Sequence, residues 1–250
     1  MTQTTIGIIG YGRFGRLLTD VLSVDHNVYF YDDNQQYAAL KHYRPLPDVL
    51  ACSVLFFCVP IHCFESVLRS VAPLIQAETV FDVCSVKVLP EKWMMAHLPT
   101  SVNVICTHPL FGPDSYYCDS PNIIVMHPSR CSSEVFNYWS AYFSSLSWQV
   151  EQVTPQVHDQ QCAYTQGVTH FIGRILGQMN LSDGVIATHG YRQLLNLVEQ
   201  TCHDSLDLFH DMMTFNPYTQ TMMQEVHESV THITDQLMAK NDLNGRRDGE

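Results

Sequence analysis

From Thr5 to about Val153 short apolar runs rich in β-branched and aromatic residues alternate with stretches of helical periodicity. TIGIIG, NVYFYD, CSVLFFCV, TVFDV, VNVIC, NIIVMH and SWQVEQV read as strands, with FGRLLTDVL, FESVLRSVAPLI and SSEVFNYWSAYFSSL as helices among them. That alternation predicts a mostly parallel sheet with helices on both faces. After Val153 the strand signal stops. Thr154-Pro155 can cap a helix with proline in its first turn, and apolar periodicity then continues to about Met179. Leu194 to Leu208 and Pro217 to Met238 read as further helices, the second opened by Asn216-Pro217. The pattern therefore divides the chain into an α/β domain over residues 1–153 and an all-helical domain over 154–250. Only the polar tail from about Lys240 (KNDLNGRRDGE) reads as unstructured.

Composition narrows the class. The 250 residues are 46% hydrophobic and 15% charged, too apolar for a disordered chain, and the net charge of −12 disfavours nucleic acid and anionic membranes as partners. An anionic ligand would need the few cations gathered at its site. Nine cysteines, at 52, 58, 63, 84, 106, 118, 131, 162 and 202, contain no CxxC pair and read as reduced core thiols of a cytoplasmic protein, with no metal site expected. MTQTTIGIIG has no basic residue ahead of its apolar stretch, and the apolar runs are too short for a bilayer, so neither secretion nor membrane insertion is expected.

The first strand runs into Gly10-Tyr11-Gly12-Arg13-Phe14-Gly15, a helix follows, and the second strand ends at Asp32, twenty positions beyond Gly12. Strand, glycines, helix, strand and acid in that order form a dinucleotide fingerprint. Gly10 permits the tight turn, Gly12 lets backbone approach a pyrophosphate, and Gly15 lets the helix pack close to the sheet. Asp32 can bind both ribose hydroxyls and would repel an added phosphate; NAD is expected, and NADP disfavoured. What reads as the fourth strand, Val54 to Val59, ends at Pro60, so Val59 and Pro60 are expected to flank the cofactor.

Two other strand ends carry polar sequences, Asp82-Val83-Cys84-Ser85-Val86-Lys87 and Thr107-His108-Pro109-Leu110-Phe111-Gly112-Pro113-Asp114. Ligands of doubly wound sheets bind at such ends, which points to Ser85, Lys87 and His108; a histidine there can exchange a proton near neutral pH. In the helical part Gln166, His170, Gly173 and Gly177 recur at spacings of four, three and four, a face fit for a domain or ligand interface. Arg192 precedes an apolar helix and can form a bidentate pair with a carboxylate.

Taken together, GxGxxG, DVCSVK at 82 to 87, HPLFGPD at 108 to 114, HDQQCAYTQGVTHF at 158 to 171 and YR at 191 to 192 resemble the prephenate/arogenate dehydrogenases of tyrosine biosynthesis, from about Thr5 to Met223. The resemblance implies a Rossmann-type NAD-binding domain followed by a helical substrate-binding domain that pairs into a homodimer. It implies NAD-dependent oxidative decarboxylation of prephenate, or of arogenate. His108 would take the proton of the ring hydroxyl, with Ser85 orienting it and the nicotinamide. His170 and Arg192 would hold the substrate, with Gln166 close by and Lys87 as a lesser contributor. The YYCDSP that follows HPLFGPDS departs from the small residues common in the family.

Three other readings compete with this one. A β-hydroxyacid dehydrogenase would carry a catalytic lysine on the interdomain helix, which holds Arg174 and no lysine. A non-catalytic NAD-binding sensor would bind cofactor without turnover. The histidines of His227-Glu228-Ser229-Val230-Thr231-His232 lie about 140° apart on a helix, a poor zinc pair, and read as a surface helix.

Overall fold

The computed structural model describes residues 4–245, which divide into two compact units, 1–159 and 160–250. The first is a seven-stranded sheet in the order β2-β1-β3-β4-β5-β6-β7. Its strands are β1 (Thr5–Ile9), β2 (Asn27–Tyr31), β3 (Val54–Phe57), β4 (Thr79–Asp82), β5 (Asn103–Pro109), β6 (Asn122–Arg130) and β7 (Trp148–Gln152). β1 to β5 pair in parallel, β5 with β6 antiparallel, and β6 with β7 parallel again. Every residue of β3 and β4 is buried, as helices on both faces of a parallel sheet require. Phe56 stacks on Phe81 at 4.5 Å, and Trp139, Phe143 and Trp148 close the core over the antiparallel half. β3 is the third strand, not the fourth, and ends at Phe57; Cys58, Val59 and Pro60 form the turn into α3 (Ile61–Val71).

At the switch point, α1 (Arg13–Leu22) starts straight after the glycine turn and buries Leu17, Leu18 and Leu22. Gly10 has φ +99°, and a Cβ there would meet the Cys58 carbonyl at 2.5 Å. A Cβ on Gly15 would collide with the Gly10 carbonyl oxygen. Only glycine meets both demands, so the fingerprint positions are dictated by backbone geometry.

The second unit is helical, and here the sequence reading needs correction. The helix expected from Pro155 to Met179 is α6 (Pro155–Cys162), a π-helical turn over Ala163–Gly167, and α7 (Val168–Gly177). The helix expected from Leu194 to Leu208 is two. α8 (His189–His203) begins on the Thr188 cap, and Asp204 adopts extended backbone so that Ser205 can cap α9 (Leu206–Phe215). Capping pulled the boundary away from the apolar period. α10 (Thr219–Gly245) continues through Lys240, so the tail is helical as far as Gly245, with no earlier glycine or proline to stop it; residues 246–250 lie outside the described chain. Gly173 and Gly177 lie against α8. A Cβ on Gly173 would collide with Thr201, and one on Gly177 would lie 2.9 Å from the Cys202 sulfur, so the pair lets α7 and α8 pack closely. The division after Asp159 falls inside α6, beyond the residue 153 read from the strand signal, because the first turn of that helix packs on the sheet unit.

Candidate active site

The glycine turn is held from both sides. Gly10 donates to the Tyr31 carbonyl and Cys58 to the Ile9 carbonyl, while Val59 lies against the Gly10 backbone and Pro60 precedes α3. Asp32, just past β2, accepts the Tyr11 N–H at 2.7 Å on one oxygen and the Asn34 N–H at 2.9 Å on the other. These two bonds fix the carboxylate and leave each oxygen a lone pair for a ribose hydroxyl. A Cβ at Gly12 would meet nothing within 4 Å, so backbone there is open to a close-lying ligand, at the amino end of α1. The residues therefore fit a dinucleotide. Arg13 forms an ion pair with Asp114, and Phe14 packs toward the Phe111 ring, tying the fingerprint to the HPLFGPD segment. Of the departure at YYCDSP, Tyr116 packs against Phe111 and Trp148 while Tyr117 is exposed.

Between the ends of β4 and β5 lies a buried ion pair. Lys87 Nζ donates to Asp82 and to the Thr107 carbonyl, and Asp82 also accepts the Cys84 and Thr107 N–H groups. Both side chains are about fully buried, at 1% and 0% exposure. Burial alone would lower the Lys87 pKa, but the Asp82 charge and hydrogen bond together with Cys84 and Cys106 outweigh it, and the pKa is raised. Lys87 thus braces two strand ends, with two of its three donors committed inside the fold.

His108, the sixth residue of β5, is 3% exposed. Its Nδ1 lies 2.8 Å from His158 Nε2, and His158 Nδ1 lies 2.8 Å from Asp159 Oδ1. Asp159, itself fully buried, also accepts the Lys87 N–H at 2.7 Å and the Val88 N–H at 2.9 Å, capping α4 (Val88–His97). Burial, with His158 and Lys87 nearby, holds the His108 pKa well below its ordinary value. Burial lowers His158 too, with Asp159 opposing. Both rings are neutral at pH 7, and no described residue hydrogen-bonds His108 Nε2. Ser85, expected to orient His108, makes no hydrogen bond to any described residue; His158 fills that position instead. His158 and Asp159 lie in the HDQQCAYTQGVTHF segment, but the sequence assigns them no role, since their partners lie 50 and 72 positions away.

In the helical unit His170 is buried, its Nε2 3.9 Å from an Asp204 oxygen and its Nδ1 without a partner. Burial lowers its pKa, and Asp204 offsets this in part. Gln166 is half-buried in the π-helical turn. Arg192 is exposed and donates through Nε to Asp183 at 3.3 Å. Among the described residues no hydrogen bond or ion pair joins Gln166, His170 and Arg192. Arg174 donates to the Asp204 and Ser205 carbonyls, closing the end of α8. His227 and His232 lie on an exposed stretch of α10.

Comparison with known proteins places this geometry. Residues 17–121 match the nucleotide-binding domain of prephenate dehydrogenase, and residues 175–248 match the TYRAAT1-like C-terminal domain. The chain is thus similar to the prephenate and arogenate dehydrogenases along both of its units. Arogenate dehydrogenase 1 (chloroplastic) of Arabidopsis thaliana is 29% identical across 96% of the chain, and arogenate dehydrogenase 2 (chloroplastic) of the same plant 27% across 94%. The chain spans 40% of the first relative's length and 70% of the second's. In fold it is similar to prephenate dehydrogenase from A. aeolicus, solved with hydroxyphenyl propionate and NAD+, at a TM-score of 0.75 and 14% identity over 97% of this chain and 93% of that one. The likeness in fold takes in both the Rossmann-type sheet and the helical unit that follows it, and no described helix is long and apolar enough to cross a membrane.

Proposed function

We propose that this protein is an NAD-dependent dehydrogenase that oxidises and decarboxylates prephenate to 4-hydroxyphenylpyruvate. The observation that carries the reading is a neutral, buried histidine, His108, on the strand end whose loop is tied to a dinucleotide turn through Arg13–Asp114. When bound, NAD supplies the acceptor for the hydride that leaves the carbinol carbon. Gly10, Gly12, Arg13, Phe14 and Gly15 would hold its pyrophosphate, Asp32 its ribose, and Val59 and Pro60 its flank. His108 takes the proton of the ring hydroxyl as the carbonyl forms. The ring carboxylate departs as carbon dioxide, its bonding electrons completing the aromatic ring. Arg192 pairs with a substrate carboxylate, with His170 and Gln166 beside it. In a chain of net charge −12, such cations decide where an anion settles.

A second reading, oxidation of arogenate to tyrosine, is favoured by the activities named for the two Arabidopsis relatives. Both substrates share the ring carboxylate and hydroxyl, so the same residues serve either. Pairing of two copies through the helical unit is supported by Val230, Ile233 and Leu237, exposed apolar residues along α10. A reducing compartment such as the cytosol is supported by nine cysteines that form no disulfide.

NADH formation with prephenate, beside arogenate, tests the proposal. Turnover of one or both is expected, with His108→Asn lowering kcat by about 10²- to 10⁴-fold, the usual worth of a general base. NAD binding without turnover of either substrate would overturn it in favour of a cofactor sensor.

A further inference from the structure

The hydrogen-bonded series Asp159, His158, His108 has only one consistent set of protons at neutral pH. Asp159 is a carboxylate that accepts two backbone N–H groups, so it can only accept from His158, and His158 must carry its proton on Nδ1. A neutral His158 then has a bare Nε2, which accepts from His108 Nδ1. A neutral His108 protonated on Nδ1 has a bare Nε2. We propose that His158 and Asp159 are positioning residues that hold His108 in its Nδ1–H tautomer and so present Nε2 as the proton acceptor of the reaction.

The inference rests on His108 being the base of the proposed function, and it gives a role to two motif residues that had none. A histidine side chain in water prefers the proton on Nε2, the form in which that nitrogen cannot accept; the buried series reverses the preference. When Nε2 takes the proton of the substrate hydroxyl, His108 becomes an imidazolium whose Nδ1–H already points at His158 Nε2. Passing that proton on would leave His158 as the imidazolium, bonded to the Asp159 carboxylate. Each transfer moves one proton along an existing 2.8 Å contact and needs no further reactant. The series is anchored at its far end: Asp159 caps α4 through Lys87 and Val88, and the Lys87 side chain grips the carbonyl of Thr107, the residue before His108. The base therefore has its ring fixed by His158 and its backbone fixed by Lys87.

Nitrogen-15 spectra of the histidine-labelled full chain, with His108 assigned by loss of its signals in His108→Asn, test this without substrate. The expected result is a protonated Nδ1 and a bare Nε2 for both His108 and His158 at pH 7; a proton on His108 Nε2 overturns the proposal. His158→Phe removes the acceptor while keeping the ring volume, and is expected to move the His108 proton to Nε2 and lower kcat by at least about 100-fold with KM little changed. His158→Gln, whose side-chain carbonyl can accept from His108 Nδ1, is expected to restore the tautomer and much of the rate. A purely packing role predicts the opposite order, with Phe tolerated and Gln not, and that order sinks the idea. If His158→Phe fails to fold, the wild-type spectrum still decides. If the wild-type spectrum is as expected while neither prephenate nor arogenate is oxidised, the proposed function fails and the proton arrangement stands.

Discussion

Lys87 and Asp82 show how much a single residue's role depends on what surrounds it. Removing one partner of a buried pair leaves an uncompensated charge in the fold, at a cost of about 3–5 kcal/mol. Lys87→Met is therefore expected to lower unfolding free energy by that amount in urea titration, because Asp82 would lose its counter-charge and the Thr107 carbonyl its donor. A loss of about 1 kcal/mol or less, the size of an exposed pair, would show that the brace carries no such weight. Cys58, Cys84 and Cys106 lie around this pair, and burial first, then Asp82, raises all three thiols, so they are poor nucleophiles. Slow reaction of the native protein with a thiol reagent at these three positions checks that reading.

At the scale of elements, the helical unit is set by close backbone approach and by caps. Gly173→Ala drives a methyl group into Thr201 across the α7–α8 contact and is expected to destabilise by about 1–3 kcal/mol, measured by the same titration. Thr201→Ala in the same chain should recover part of that loss, since the Thr201 hydroxyl and methyl are most of the obstacle. The segment between α7 and α8 is pinned by the Tyr191 hydroxyl donating to the Ser182 carbonyl and by Arg192 on Asp183. Its Gly184 N–H, and then Arg192, hold the Asp183 carboxyl below its usual range. On the role proposed for Arg192, Asp183 competes with the substrate carboxylate for the guanidinium. Asp183→Asn is thus expected to lower KM by up to about fivefold without changing kcat, the scale of an exposed pair. A raised KM would mean that Asp183 presents Arg192 rather than opposing the substrate.

Across the whole molecule the same sign recurs in its buried histidines. His26, 5% exposed between Trp139 and Tyr142 with neither ring nitrogen partnered, is lowered by burial, as are His108, His158 and His170. Each is neutral in the fold, with a single ring proton, whereas in the unfolded chain it gains a second proton below about pH 6.5. The unfolded state then binds more protons, so stability is full above that pH and declines as pH falls toward the lowered values. Unfolding titrations at pH 7 and pH 5 should show that decline, and His26→Phe should make it shallower. A stability independent of pH over this interval would contradict the burial of all four. For the pairing of copies, sedimentation at twice the chain mass is expected, with Leu237→Asp giving single chains.

The sequence by itself determined the dinucleotide half. Gly10, Gly15 and Asp32 are readable because their demands are local: a positive φ, a helix crossing backbone, an acid at a strand end. Periodicity likewise carried the change from sheet to helices, since burial of strands and of helical stripes repeats within a few residues. Helix ends were misplaced where a cap such as Ser205 or a π-helical turn such as Ala163–Gly167 interrupts that repeat. What only the tertiary structure decided is who faces whom. A lysine that sequence offers to a substrate is ion-paired with Asp82, and His108 meets His158, itself bonded to Asp159, where a serine was expected. These assignments rest on contacts between residues far apart in the chain, whose charge and hydrogen bonds take effect only once burial has removed the water that would otherwise satisfy them.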